Sequence, residues 1–358
     1  MVALAELPSA TRAFAGPTPE KTRLAEGVYL FTTPPYGDVG LDGNSVVILS
    51  SDGVLVFDSN GTPAAAEVVL GEIRRMTDRP VRYVVNSHWH WDHWYGTEVY
   101  KQAFPGLQVI SHEKTRALMT GPALAFNKPG LESQLPAYIR SLEERVAALE
   151  AATPAAPELP RLKRMLEDDR FFLAQKAGVR HTFANLTFAG QLDLYMGDRQ
   201  VQLRHAGAAV TPGDVFLFLP EENILVAGDL LVNPVSFALS CYPTGWLRAL
   251  ERLDAIDASI IVPGHGAPLH DEKLLHATMD VFRALLEQGQ QARARGVEVD
   301  AAREQILPGL RERMLQITRD DPAVNEAFRV QLVDWYLHRV YDELAGPLGD
   351  DIATIPRS

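Results

Sequence analysis

The sequence predicts an α+β fold, and three observations support this prediction. Two segments, about residues 24–112 and 186–263, are rich in short β-prone runs bounded by turn residues. The stretch between them, about 127–178, has the composition and period of helices, and we interpret it as an insert. From residue 271 to 358 the chain is again mostly helical, which predicts an extension packed on the β-rich part.

The first β-rich segment alternates strands with helices. It opens with the strand candidates LAEGVYLFTT, NSVVILSS and GVLVFDS. In TPAAAEVVLGEIRRMT we expect Thr62 to cap a helix whose first residue is Pro63, because both residues suit those positions. The strand VRYVVNS, a short helix in WYGTEVYKQAF and the strand LQVISH complete the segment.

The insert is predicted to be a helical hairpin. Residues from Tyr138 to about Ala177 are charged and rich in Leu and Ala, and the Pro-rich stretch 152–160 interrupts them. We interpret their charges as a solvated helix face.

The second β-rich segment contains the strand candidates LTFAG, LDLYMG, RQVQLRHAG, DVFLFLP and NILVAGD. A helix in YPTGWLRALERLDAI and a strand in ASIIVPGHG follow them. The helices beyond Asp271 carry no evident chemistry, so we expect them to pack on the domain, shape a pocket or form a homodimer contact.

Composition excludes several classes of protein. The 358 residues are 46% hydrophobic and 22% charged, as in a globular protein. The formal charge of −12 argues against nucleic-acid binding, which needs a basic surface. No apolar run reaches the roughly 18 residues of a membrane helix. The partner predicted for this chain is therefore a small-molecule substrate, not a nucleic acid or a membrane.

Cysteine content limits the kinds of metal site. Cys241 is the single cysteine, so an intrachain disulfide and any zinc site with two cysteines from one chain are excluded. We interpret Cys241 as a small loop or core residue. The first residues lack the basic region of a signal peptide, but the compartment stays open, either cytoplasmic or, if such a peptide was trimmed, periplasmic.

The strongest motif is HWHWDH at residues 88–93, directly after the strand VRYVVNS. If the extended backbone continues past Ser87, the side chains at 88, 90 and 92 point the same way. Three imidazoles and one carboxylate then lie together at a strand end, and these are ligands that suit zinc and related divalent metals. Trp89 and Trp91 should face the opposite side and pack there.

Two later strands end in residues that suit the same site. NILVAGD ends in Asp229, and SIIVPGHG ends in a loop with His265 between two glycines. Glycines beside a ligand allow the backbone to approach a metal closely. Each feature is weak alone, but together with HWHWDH they indicate a metal centre.

These motifs resemble those of the metallo-β-lactamase superfamily. The resemblance rests on HWHWDH at 88–93, TPGD at 211–214, AGD at 227–229 and PGHG at 263–266, and it covers about residues 22–270. It implies a four-layer αββα sandwich of two similar halves, with metals at one edge of the two sheets. The domain is then expected to span 22–270 and to carry the helical insert.

The resemblance also implies a ligand set. His88 and His90 match ligands of the first metal position, and Asp92, His93 and His265 match those of the second. Asp229 matches the carboxylate that bridges two metals.

One position departs from the family pattern. Alignment of TPGD at 211–214 with the family's Thr-x-Gly motif places Val210 where a histidine ligand of the first position is expected. Valine cannot bind a metal, and His205 could replace the missing ligand only if the loop 206–210 folded back. We therefore expect the second position to bind a metal better than the first.

The resemblance implies a zinc-dependent hydrolase that holds one or two ions, with iron or manganese as other candidates. Asp92 would be the catalytic residue that orients the attacking water. The substrate would be a small ester, lactone, amide or lactam, thioester or phosphoester. Two alternatives remain open, an iron-dependent oxidoreductase of the same fold and a metal-binding protein with weak or no catalysis.

Overall fold

A computed structural model describes residues 16–350 of the chain. Two β-sheets lie face to face, with helices on both outer sides. The first sheet has seven strands in the order β1 to β7. Their bounds are Glu20–Ala25, Val28–Thr32, Ser45–Ser50, Gly53–Phe57, Val81–Val85, Gln108–His112 and Leu186–Phe188.

The second sheet has five strands in the order β12-β11-β10-β9-β8. In chain order, from β8 to β12, they are Gln191–Met196, Arg199–His205, Val215–Leu219, Ile224–Gly228 and Ile260–Pro263. The run LTFAG, which we grouped with this half, forms β7 and pairs in parallel with β6 of the first sheet. The helical insert therefore connects two neighbouring strands of one sheet.

The alternation of apolar residues along the strands accounts for the layers. Inward-facing side chains such as Val46, Ile48, Leu203 and Leu217 form one core between the sheets. The opposite face of the first sheet packs on helices α1 (Pro63–Met76) and α2 (Thr97–Ala103). Thr62 caps α1 by accepting from the amide of Ala65, and Pro63 is its first residue, as predicted. The predicted four-layer αββα fold is confirmed.

The insert comprises helices α3 (Glu113–Met119), α4 (Pro122–Pro129), α5 (Leu135–Ala152) and α6 (Leu159–Ala177), with a π-helical segment Gly130–Gln134 before α5. Helical structure thus begins earlier than predicted, directly after β6. The α5–α6 hairpin has its own apolar core. Asp169 connects it to the domain by accepting hydrogen bonds from the amides of Asp38 and Val39.

The remaining helices cover the outer face of the second sheet. They are α7 (Pro243–Asp254), α8 (Lys273–Ala294), α9 (Val299–Ile306), α10 (Arg311–Thr318), α11 (Pro322–Ala327) and α12 (Trp335–Ala345). Their apolar residues form one cluster with the outer face of the sheet, and Cys241 is a buried member of it. The predicted C-terminal helical region is therefore present, and residues 351–358 of that prediction lie outside the described range. No helix within residues 16–350 combines the length and apolar character needed to cross a membrane.

Candidate metal centre

Two residues, Asn86 and Ser87, separate the HWHWDH segment from the end of β5. The backbone is extended at His90 (φ −63°, ψ 133°) and then forms a 3₁₀ turn over Trp91–His93. A 3₁₀ turn rotates successive side chains by about 120°, so the alternation that we predicted for 88, 90 and 92 ends at His90. Asp92 lies beside His265 instead, with 3.0 Å between its Oδ2 and the Nε2 of His265.

Asp229 and His265 reach this segment from the second sheet. They follow β11 and β12, which are parallel neighbours, so their carboxyl ends meet at one edge of that sheet. Gly264 lies directly before His265, and a β-carbon at this position would collide with the Asp229 carboxylate. Glycine is therefore required there for the two strand ends to converge.

The Asp229 carboxylate lies among four imidazoles. Its Oδ1 is 3.2 Å from the Nε2 of His93 and 3.6 Å from the Nε2 of His265. Its Oδ2 is 3.6 Å from the Nε2 of His88 and 3.9 Å from the Nδ1 of His90. The structure thus brings together the six residues predicted as ligands, although they come from both halves of the chain.

The donor atoms form two overlapping groups. One contains His88, His93 and Asp229, the other contains Asp92, His93 and His265, and within each group the donor atoms lie within 4.8 Å of one another. His93 belongs to both groups, whereas the sequence assigned it to the second position alone. His90 belongs to neither, because it lies at the margin of the site.

The buried polar atoms show that these residues fit a metal. The Nε2 atoms of His88 and His93 and the Oδ1 of Asp229 are buried and have no hydrogen-bond partner. A buried polar atom without a partner costs about 1–3 kcal/mol, so three such atoms in one donor group suit the binding of a cation. Neutral imidazole and carboxylate are ligands for zinc and related divalent ions. The buried His and Asp cluster is therefore consistent with bound metal ions.

Asp58 and Ser87 fix the orientation of two imidazoles. The hydroxyl of Ser87 donates to the Oδ2 of Asp58 at 2.7 Å and lies 2.8 Å from the Nδ1 of His88. Because its proton is directed to Asp58, Ser87 accepts from the Nδ1 of His88, which leaves the Nε2 lone pair facing the site. The Nδ1 of His93 donates to the same Asp58 oxygen at 2.8 Å, with the same result.

Sequence reasoning missed Asp58 and Ser87, although one signal was present. Asp58 ends the apolar strand GVLVFDS, as Asp229 ends NILVAGD. It has a left-handed backbone with φ of 58°, and its side chain also accepts the amide of Ser87. A non-glycine residue in this conformation is uncommon and is often held there by a functional constraint.

Ser240 has the corresponding role for His90. Its hydroxyl donates to the carbonyl of Val210 at 2.9 Å and lies 3.1 Å from the Nε2 of His90. Ser240 therefore accepts from that Nε2, and the Nδ1 lone pair of His90 faces Asp229. The sequence offered no signal for Ser240, since it lies in an irregular loop.

Val210 and His205 do not contribute donor atoms to the site. Val210 is 1% exposed and packs in the apolar cluster on the outer side of the second sheet. The ring of His205 stacks on His112 with 3.8 Å between centroids, and its Nε2 pairs with the carbonyl of Pro212. The loop 206–210 does not fold back to bring His205 into either donor group.

Burial and neighbouring charges shift the pKa values of the site residues. Burial lowers the pKa of His88 well below its usual value, and the neighbouring His93 and His90 lower it further. Burial also opposes the charged form of His93, but Asp229, Asp92 and Asp58 outweigh it and raise the pKa of His93 well above its usual value. Burial alone would raise the pKa of Asp229, yet His93 and His265 hold it well below its usual value. Opposing effects of burial and neighbouring charges on pKa values are common at functional sites.

A cavity of about 700 Å³ opens onto the centre. His90, Asp92, Asp229 and His265 line one side of it. The remaining wall is largely apolar and includes Trp89, Phe126, Val232, Val235, Phe237 and Leu239. An apolar cavity with a few convergent polar groups is typical of a small-molecule site.

Trp91 and Lys176 connect the insert to this segment. Trp91 lines the cavity, whereas we predicted only packing for it. The ammonium of Lys176, on α6, lies 3.0 Å from the centroid of the Trp91 ring and 4.1 Å from that of Tyr95. Lys176 is 6% exposed, although we interpreted the charges of this helix as solvated. Burial lowers the pKa of Lys176 well below its usual value, and the contact packs α6 against the segment that carries Asp92.

A sequence profile of the metallo-beta-lactamase superfamily matches residues 38–265. The chain belongs to this superfamily. The matched range contains HWHWDH, Asp229 and His265, and it encloses the helical insert. Membership confirms the resemblance drawn from the four motifs.

Comparison with individual proteins gives more distant similarities. The chain is 22% identical over 287 residues to a linear primary-alkylsulfatase from Pseudomonas sp. (strain ATCC 19151), an alignment that covers 73% of this chain and 49% of the relative. The chain thus spans about half the length of that relative.

Solved structures show the same fold. A metallo-beta-lactamase from Pontibacter korlensis has a TM-score of 0.52 and 19% identity, covering 74% of this chain and 99% of that one. The DIM-1 metallo-beta-lactamase has a TM-score of 0.51 and 17% identity, covering 75% and 98%. At these identities the likeness concerns the fold alone.

Proposed function

We propose that this protein is a metal-dependent hydrolase that uses activated water to cleave an ester-type bond in a small, largely apolar substrate. The observation that carries the proposal is the convergence of unpartnered donor atoms of His88, His93 and Asp229 beside the apolar cavity. Thioesters, lactones, lactams and phosphoesters fit the same chemistry. The distant alkylsulfatase relative adds sulfate esters to the candidates.

The chain's own residues suit such a reaction. A divalent cation, when bound, supplies an activated water near neutral pH and a charge that polarises the group under attack. Asp92 lines the cavity and carries a carboxylate whose pKa is held well below its usual value, since His93 and His265 outweigh the effect of burial. In the proposal the ionised Asp92 carboxylate orients the water by accepting a hydrogen bond from it, while the apolar wall excludes bulk solvent.

We also propose that the two metal positions differ in affinity. His265, Asp92, His93 and Asp229 would hold the stronger ion, and His88, His90 and Asp229 would hold a weaker one. Burial of Val210 in the apolar cluster supports this order, because it leaves the first position without a third imidazole. Zinc is the proposed metal, with iron or manganese as the alternatives.

A substrate panel tests the proposed function. Full-length protein loaded with zinc, manganese or iron would be assayed against carboxylic, sulfate and phosphate esters, thioesters, lactones and β-lactams. We expect hydrolysis of at least one class, abolished by a chelator and lowered by Asp92→Asn. The matched control is Asp193→Asn, an exposed residue of β8, which should retain full activity.

Two results would contradict the proposal. Inactivity of every metal-loaded form against the whole panel would favour a binding protein with little catalysis, a possibility that the buried Val210 supports. Iron as the main metal of the purified protein, together with consumption of oxygen, would favour an oxidoreductase.

A further inference from the structure

A second cavity, of about 490 Å³, lies next to the metal cavity and beneath the helical insert. Residues of α4, α5, α6 and the π-helical segment 130–134 line it. The two cavities share Trp91, Phe126, Asn127 and Leu239 in their linings. The second cavity therefore adjoins the metal cavity across these side chains.

The wall of the second cavity is mainly apolar. Leu131, Leu135 and Phe172 contribute aliphatic and aromatic surface. The hydroxyl of Tyr138 donates to Asp38 at 2.8 Å, whereas the amine of Lys176 and the side-chain amide nitrogen of Asn127 are buried without a hydrogen-bond partner. Apolar side chains form most of the lining, so burial of apolar groups is the main interaction that this wall offers.

We propose that this second cavity is a binding subsite for an unbranched alkyl chain of the substrate, whose reactive group lies at the metal centre. The inference rests on the proposed function and extends it to a substrate class, amphiphiles with a polar ester head and an alkyl tail. An unbranched chain is favoured because it must pass between Trp91, Phe126 and Leu239 to enter. The insert thereby determines which chain lengths bind.

Gly130 provides a way to shorten the subsite without disturbing the metal centre. It lines the second cavity but not the metal cavity, and its φ of −57° is compatible with any residue. A β-carbon there would meet only the side-chain oxygen of Gln134, at 3.7 Å. The substitution Gly130→Phe therefore adds a large side chain at the cavity wall with little strain in the backbone.

A series of alkane-1-sulfonates, from butane- to dodecanesulfonate, tests the subsite on the zinc-loaded full chain by isothermal titration calorimetry. These probes are not hydrolysed, so their binding does not depend on activity. We expect the affinity to rise about fourfold for each methylene that becomes buried, and to reach a plateau when the chain fills the subsite. An affinity that does not change with chain length in the wild-type protein would overturn the proposal.

Substitutions in the cavity wall test where the alkyl chain binds. In Gly130→Phe we expect the affinity for dodecanesulfonate to fall at least tenfold, while that for butanesulfonate stays the same. Glu132→Phe places the same side chain on the exposed side of the same segment and should behave as wild type. If Gly130→Phe fails to fold, Leu131→Trp provides a second obstruction of the same cavity. Unchanged long-chain affinity in a folded obstructed variant would contradict the assignment.

This experiment separates the two proposals. A chain-length dependence that Gly130→Phe abolishes, in a protein inactive towards every ester, would reject the hydrolase function and retain the subsite. Hydrolysis of short esters without any chain-length dependence would reject the subsite and retain the hydrolase.

Discussion

The two sides of the Asp229 carboxylate differ in how the fold supplies donor atoms. On one side, Asp92 and His265 approach to 3.0 Å, Asp92 from the 3₁₀ turn Trp91–His93 and His265 from the loop after β12. On the other side, His90 remains 3.9 Å from Asp229, and Val210 is buried in an apolar cluster. A position that depends on the loop 206–210 can thus lose a ligand without loss of the fold.

The imidazoles of the site also differ in how they are held. The buried Asp58 and Ser87 orient both His88 and His93. His90 depends on Ser240 alone, whose own partner is the carbonyl of Val210. The same loop therefore affects both the missing ligand and the orientation of a remaining one.

The largest effect is expected from His93→Ala, since His93 belongs to both donor groups. Removal of this ligand should weaken metal binding at the stronger position by more than the 10–100-fold that is usual for residues that only orient ligands. Elemental analysis after dialysis should find almost no metal. His276→Ala removes a surface imidazole paired with Asp254 and serves as the control. Wild-type metal content in His93→Ala would show that the donor groups are misassigned.

Val210→His tests the weaker side by restoring the missing imidazole. We expect the zinc content per chain to rise towards two, because the first position would gain its third nitrogen ligand. Val210→Thr, which is similar in size to the native side chain and carries no imidazole, should leave the zinc content unchanged. If the folded histidine variant binds no more zinc than the wild type, the alignment of this loop is wrong.

A smaller difference is expected between two serine variants. Ser87→Ala removes the partner of His88 and one donor to Asp58, so we expect about 10–100-fold weaker metal binding. Ser240→Ala should weaken binding less, because His90 lies outside both donor groups. Competition with a chromophoric chelator would measure both affinities. A larger loss in Ser240→Ala than in Ser87→Ala would contradict this prediction and show that His90 contributes more to metal binding than His88.

Much of the fold could be predicted from local patterns. Short β-prone runs bounded by turn residues identified the strands, and the Thr62–Pro63 pair identified the start of α1. LTFAG was grouped with the second half but belongs to the first sheet, because strand pairing is not a local property. Those residues join β6 in parallel across an insert of four helices, a long-range contact that the run itself does not encode.

The site shows the same limit. Asp229 and His265 could be found because each follows an apolar strand and lies beside a glycine. The turn at Trp91–His93, which moves Asp92 to the side of His265, could not be deduced from spacing. Ser240 and Lys176 gave no signal either, because their roles arise from packing against residues distant in the chain.

The central claim is that the position formed by Asp92, His93, Asp229 and His265 binds a metal more tightly than the position at His88 and His90. A crystal structure of the protein with less than one equivalent of zinc, with anomalous scattering measured at the zinc edge, tests it most directly. We predict a single strong anomalous peak within bonding distance of Asp92, His93 and His265. A stronger peak beside His88 and His90, with the other position less occupied, would contradict the account.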